Sequence, residues 1–190
     1  MQIAVGADHA GFPYKPAIVR GLGEDGHRIL DLGTNSADPV DYPDYARAVG
    51  LAVREHQADL GVLVCGSGAG VAIAANKIRG VRAALCHDLF TARQSREDDD
   101  ANVICLGARV VDEAQAIALV REFVGARFSH AARHERRLAK VLALEAQELT
   151  SPDATPTGPG LDGHPEIAHA LAEFATLDVG RRLWARDPTL

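Results

Sequence analysis

The stretch Val62-Leu63-Val64-Cys65-Gly66-Ser67-Gly68-Ala69-Gly70-Val71 holds the densest chemistry in the chain. An apolar run that reads as a buried strand ends on a thiol, three glycines follow at alternate positions, and a helical pattern begins. Glycines let backbone N–H groups converge on an anion, and the start of the next helix adds partial positive charge. Cys65 is therefore placed as a reactive group beside an oxyanion site. The competing reading is that Cys65 is only the last buried residue of its strand. A dinucleotide fold would carry G-x-G-x-x-G after its first strand. Here the first strand leads instead into Gly6-Ala7-Asp8-His9-Ala10-Gly11, and the glycine-rich turn falls after the third. Nucleotide binding finds little support.

Other reactive types recur at strand ends and on one late helix. Asp8 and His9 follow the first strand, where an adjacent acid and imidazole can bind hydroxyls, move a proton or steady a phosphate; Asp8 could equally be a helix N-cap. Asp41-Tyr42-Pro43 opens a helix, with Tyr42 able to reach a cleft at the same edge. Arg133 and Arg137 stand four apart and share a helix face, a two-pronged clamp for an anion. Arg109, past the fifth strand, is a third donor. An arginine run can also be a plain solvated face. Cys86 and Cys105 read as core strand residues. Three cysteines without a C-x-x-C pair indicate neither a disulfide framework nor a zinc site.

Apolar runs bounded by turn residues alternate with stretches of helical period, the pattern of a parallel sheet wrapped by helices. Strands are expected at Gln2–Ala7, His27–Leu32, Leu60–Cys65, Val81–Leu85 and Val103–Leu106, with helices near 11–24, 42–57, 69–77, 88–97 and 112–124. These elements make an α/β, Rossmann-like, doubly wound sheet of five parallel strands, whose ligand lies past the strand ends. A further helix over 131–149 has no strand after it, so its apolar face either returns to its own core or meets a second subunit. The chain is expected to hold one domain over 1–149, a Pro/Gly/Thr-rich linker over 150–163 and a C-terminal helical extension over 164–190.

The 190 residues are 47% hydrophobic and 24% charged, ordinary values for a globular chain, and the formal net charge of −6 gives nucleic acid little reason to approach. No apolar run suits a membrane span or secretion signal, so a cytoplasmic protein is expected.

Together these residues closely resemble the ribose-5-phosphate isomerases of the B type, a family that includes galactose-6-phosphate isomerase subunits. The resemblance covers about residues 1–149. It rests on Gly6-Ala7-Asp8-His9-Ala10-Gly11-Phe12, Asp41-Tyr42-Pro43, Cys65-Gly66-Ser67-Gly68-Ala69-Gly70, Ala74-Ala75-Asn76-Lys77, Asn102-Val103, Gly107-Ala108-Arg109-Val110 and Arg133-His134-x-x-Arg137. It implies a cofactor-independent, metal-free aldose-ketose isomerase of a small phosphorylated sugar, assembled as a homodimer or tetramer with active sites shared between subunits. By that resemblance Cys65 moves the proton through a cis-enediolate and Ser67 assists between the oxygens. Amides around Gly66, Gly68 and Gly70 hold the developing charge, and Asp8 and Tyr42 contact hydroxyls. His9, Arg109 and the partner's Arg133 and Arg137 bind the phosphate.

The sequence departs from the family at Ser95-Arg96-Glu97-Asp98-Asp99, where the family usually reads Ser-Arg-x-His-Asn. Asp98 stands where a histidine opens the sugar ring, and Asp99 where an asparagine contacts substrate. A carboxylate of ordinary pKa near 3.9 is a poor proton donor at neutral pH. This suggests an open-chain substrate such as a tetrulose 4-phosphate, or a heteromeric partner that supplies the histidine. Outside catalysis, a phosphosugar sensor would keep the arginines and glycine turn but would not need the thiol.

Overall fold

The computed structural model describes residues 1–148; the linker and extension expected over 150–190 lie outside the described residues. Five parallel strands, β1 (Gln2–Ala7), β2 (Arg28–Asp31), β3 (Leu60–Cys65), β4 (Ala83–Leu85) and β5 (Val103–Gly107), form one sheet in the order β2-β1-β3-β5-β4. The three inner strands are buried almost throughout, whereas β2 and β4 at the edges are half-covered. This is why the inner strands read as unbroken apolar runs.

Alternation along the strands splits the core in two. Val62 and Val64 face a layer with Ile18, Leu119 and Phe123, while Leu63 and Cys65 face one with Val49, Val71 and Ala75. The first layer is covered by α1 (Lys15–Glu24), α4 (Leu89–Asp99) and α5 (Glu113–Gly125), and the second by α2 (Tyr42–Arg54) and α3 (Ala69–Ala75). A last helix, α6 (Ala132–Glu148), leaves Val141 and Leu142 half-exposed. Residues Met1–Leu142 form one compact unit.

Several boundaries differ from those expected. The helix after β1 is preceded by a tight turn over Phe12–Tyr14. β4 starts two residues late because the backbone N–H of Arg82 is held by the Asn102 side chain. Cys86 accordingly lies just past β4, though still fully buried. α4 runs on to Asp99 and stops at Asp100, whose φ of 49° is left-handed.

Candidate active site

The connection leaving β1 runs to one side of the sheet and that leaving β3 to the other, so the loops after these strands part and open a crevice at their carboxyl ends. Asp8 and Cys65 flank this crevice. Ala7 pairs with Val64 in register, and the Asp8 N–H donates to the Val64 carbonyl at 3.2 Å, so the two side chains leave from neighbouring positions.

Cys65 is 4% exposed and its Sγ accepts a hydrogen bond from the Gly68 N–H at 3.1 Å. Gly68 reaches that position with φ of 79°, and a Cβ there would lie 2.8 Å from the Leu106 carbonyl carbon. Only glycine satisfies both conditions. The glycine turn is tied to the loop after β5: the Ala108 N–H donates to the Cys65 carbonyl and the Arg109 N–H to the Gly66 carbonyl, each at 2.9 Å. Those bonds lay the Arg109 guanidinium over Gly66, where an added Cβ would be 3.5 Å from it. A cation is thereby held at the rim of the thiol. Ser67 is exposed and its Oγ accepts from the Ala69 N–H at 3.3 Å.

Asp8 is not a helix N-cap: Gly11 precedes the short helix over Phe12–Tyr14 and Tyr14 precedes α1. Asp8 is buried, and its Oδ1 accepts from the Ala10 and Gly11 N–H groups at 2.9 Å each, fixing the turn. Oδ2 makes no hydrogen bond to a described residue. The His9 Nδ1 lies 3.2 Å from both the N–H and the carbonyl of Val40. In the tautomer that accepts from that N–H, the ring proton sits on Nε2, which can then donate to a ligand. Tyr42 begins α2 on the Cys65 side of the sheet; its ring lies against Gly70, where a Cβ would come within 3.0 Å of it. Asp41 precedes α2 without capping it through its side chain.

The remaining candidates are elsewhere. The residues that follow α4 join the amino ends of the strands, since the Gly61 N–H donates to the Asn102 carbonyl. From Gly61 to Cys65 is four strand steps, on the order of 13 Å at ~3.3 Å each. α4 also packs on the opposite face from Cys65. Asp98 and Asp99 therefore lie away from the crevice of their own chain. The start of α6 sits with them: the Ser129 N–H donates to the Glu97 carbonyl at 3.0 Å, and His134 Nδ1 lies 3.3 Å from Asp98 Oδ1. Arg133 and Arg137 are exposed there and form no hydrogen bond or ion pair with a described residue. Sequence reasoning missed this grouping of Asp98 with His134, because no local pattern links residues on two different helices.

Burial pushes the Cys86 thiol up to about 11 and raises that of Cys105. Among the described residues no group of three His, Cys, Asp or Glu side chains is placed to hold a metal ion, and no helix is long and apolar enough to cross a membrane.

The family model described as Ribose/Galactose Isomerase matches residues 3–141. Ribose-5-phosphate isomerase B of Escherichia coli is 42% identical over 144 residues, spanning 76% of this chain and 96% of that protein. D-erythrulose-4-phosphate isomerase 2 of Mycolicibacterium smegmatis is 37% identical over 148 residues, 76% of this chain and 97% of that one. The structure of ribose-5-phosphate isomerase B from Mycoplasma genitalium with bound ribulose-5-phosphate superposes with a TM-score of 0.73 at 39% identity, covering 77% of this chain and 97% of the other.

Proposed function

The chain belongs to the ribose/galactose isomerase family and is a sugar phosphate isomerase, and from that premise we propose that it interconverts an aldose and a ketose phosphate of the ribose 5-phosphate type through a cis-enediolate. The observation that carries this reading is the sulfur of Cys65 in the crevice, with the Gly68 amide directed at it and Arg109 over the adjoining glycine. The Cys65 thiolate removes the proton on the carbon beside the carbonyl; the electron pair moves onto the carbonyl oxygen. The resulting enediolate is held by amides of the Gly66–Gly70 turn, which need no reorganisation as charge develops. The same proton, now on sulfur, is delivered to the neighbouring carbon, while Ser67 passes the hydroxyl proton between the two oxygens. Asp8 Oδ2 and the Tyr42 hydroxyl receive sugar hydroxyls. No metal or organic cofactor is required by this proton bookkeeping.

Phosphate binding is assigned to His9 Nε2, Arg109 and, from a second copy of the chain, Arg133 and Arg137. Support comes from the separation of the two groups across the sheet, from the lack of a hydrogen bond or ion pair between either arginine and any described residue, and from the half-exposed Val141 and Leu142 on the same helix. A homodimer is the smallest assembly that unites them. Mixing Cys65→Ala with Arg137→Ala protein tests it. With substrate well below KM each is expected to turn over little alone, but a mixed dimer regains one intact site, so random exchange restores about a quarter of wild-type activity. No recovery after exchange is demonstrated by mass would refute the shared site.

One observation favours a second substrate. Asp98 uses both carboxylate oxygens within its own chain, one toward His134 and one accepting from Gln94 at 3.2 Å. An open-chain tetrulose 4-phosphate needs no ring-opening acid, since the hydroxyl that would close a furanose is esterified. A relative of that activity is similar over three quarters of the chain. Comparing kcat/KM for ribose 5-phosphate and erythrulose 4-phosphate decides between them, and efficient turnover of the pentose alone ends the tetrulose reading.

A further inference from the structure

His134 is 2% exposed, the one buried charged or polar residue of α6 among those whose burial is described, and its surroundings define its role. Its Nδ1 lies 2.7 Å from Ser129 Oγ and 3.3 Å from Asp98 Oδ1. A lone pair on Nδ1 would face the carboxylate, so the ring carries its proton there, bonded to Ser129 Oγ with the Asp98 carboxylate beside it at ion-pair distance. Ser129 Oγ is itself oriented as an acceptor by the Ala131 N–H at 3.3 Å, and the Ser129 N–H is pinned to the Glu97 carbonyl of α4 at 3.0 Å. Gln94 holds the other Asp98 oxygen. These bonds join the last turn of α4 to the first turn of α6. At about 100° per residue, Arg133 and Arg137 lie some 40° apart on α6 and His134 lies to one side of both. Fixing the His134 ring against Asp98 thus fixes the direction in which both arginines leave the helix.

We propose that Asp98 is a positioning residue: its carboxylate orients His134 and so aims the Arg133–Arg137 pair at the phosphate of a sugar phosphate bound in a neighbouring copy. The proposal rests on the clamp assigned under Proposed function. It gives the carboxylate at position 98 a task that requires no proton donation to the sugar. His134 Nε2 is buried without a hydrogen-bond partner among the described residues, so Asp98 and Ser129 are the contacts that hold the ring.

The test uses the full chain and the variants Asp98→Asn, His134→Asn, their double, and Arg137→Ala. Three quantities are read: KM and kcat for the best sugar phosphate, the affinity of inorganic phosphate by calorimetry, and the protonation of the imidazole nitrogens by long-range 1H–15N NMR. Asp98→Asn is expected to weaken phosphate and raise KM by the same factor, about five- to tenfold, with kcat within threefold, and the double variant to be no worse than the worse single. The proton on His134 Nδ1 should be lost or exchange-broadened in Asp98→Asn. If Arg137→Ala leaves phosphate affinity unchanged, the clamp reading falls and takes the proposal with it. If Arg137→Ala weakens phosphate while Asp98→Asn leaves both affinity and the imidazole spectrum unchanged, the clamp stands and the proposal is overturned. A loss confined to kcat, seen on ribose 5-phosphate but not on erythrulose 4-phosphate, would also overturn it, because that pattern marks a proton donor.

Discussion

Replacing Gly68 by alanine separates the demands that the glycine turn makes on its backbone from those it makes on the reaction. At φ of 79° an alanine bears the left-handed penalty, and its Cβ would sit 2.4 Å from Leu85 Cδ1, 2.8 Å from the Leu106 carbonyl carbon and 3.1 Å from the Gly107 nitrogen. Leu85 is 39% exposed and can turn away. The backbone of β5 cannot, since that strand is paired on both sides. The conformational cost of about 1–2 kcal/mol and the overpacking cost of about 1–3 kcal/mol place the destabilisation near ~2–5 kcal/mol. That corresponds to a fall in Tm of roughly 5–15 °C for a domain of this size. Relief requires the turn to lift from β5, which lengthens the Gly68 N–H contact to Cys65 Sγ, so kcat should drop about 10- to 100-fold with little change in KM. Gly26→Ala supplies the comparison: its φ is 81° but nothing lies within 4 Å of the added Cβ. It should cost about 1 kcal/mol and leave kcat unchanged. Thermal unfolding and initial rates on both variants suffice. If Gly68→Ala is no less stable than Gly26→Ala and keeps its kcat within twofold, close packing of the turn on β5 does not set the site.

Three further outcomes follow from the burial and charge of named groups. Brief alkylation of the folded protein at pH 8 should modify Cys65 and spare Cys86 and Cys105, because burial holds the Cys86 thiol near 11 and raises Cys105 as well; peptide mass spectrometry showing adducts on all three before unfolding would contradict this. Asp31→Ala leaves the Lys15 ammonium, 3% exposed and 2.6 Å from its carboxylate partner, with Asn35 at 3.0 Å as its remaining partner among the described residues. A loss of about 2–4 kcal/mol by urea unfolding is expected, moderated because Asp31 is itself partly exposed, and Lys15→Met/Asp31→Ala should recover most of it. Asp88 caps α4, accepting from the Thr91 N–H at 2.8 Å and its hydroxyl at 2.7 Å, which hold its carboxyl below the usual 3.8. A depressed folded value stabilises above the unfolded one and is lost as pH falls through the folded one. Asp88→Ala should therefore lower Tm at pH 7, with the deficit shrinking below about pH 4, and an equal deficit at pH 2 and pH 7 would rule out the carboxylate as the cause.

The parts of this fold that could be read from residues are those whose burial is set by local composition. β1 and β3 fall at the expected positions, Gln2–Ala7 and Leu60–Cys65, because strands covered on both faces must be apolar throughout. β4 was harder to bound, since Val81 and Arg82 look strand-like but have their backbone claimed by Ile78 and by the side chain of Asn102. The insertion of β5 between β3 and β4 has no signature in either segment. The same division holds at the site. Cys65 ends β3, and Gly68 and Asp8 lie in the loops after β3 and β1, which any parallel sheet with this switch point would bring together. Tyr42 meeting Gly70, and Arg109 meeting Gly66, depend on how α2 and the loop after β5 settle on those glycines.

The placement of Asp98 shows most clearly what a linear reading omits. Counted along the chain, it falls in a run where the family resemblance implies substrate contacts, and nothing in Glu97-Asp98-Asp99 tells which edge of the sheet that run occupies. The topology does: a helix returning from the carboxyl edge delivers its last turn to the amino edge, and α6 is bonded to that turn through Ser129 and His134. Any model that gives Asp98, Arg133 and Arg137 a common ligand with Cys65 must therefore bring the second group from a different copy of the chain. Within such an assembly, the positioning role proposed for Asp98 would make a histidine-to-aspartate exchange there alter more than one proton donor, because the same carboxylate lies against His134 on the helix that carries Arg133 and Arg137.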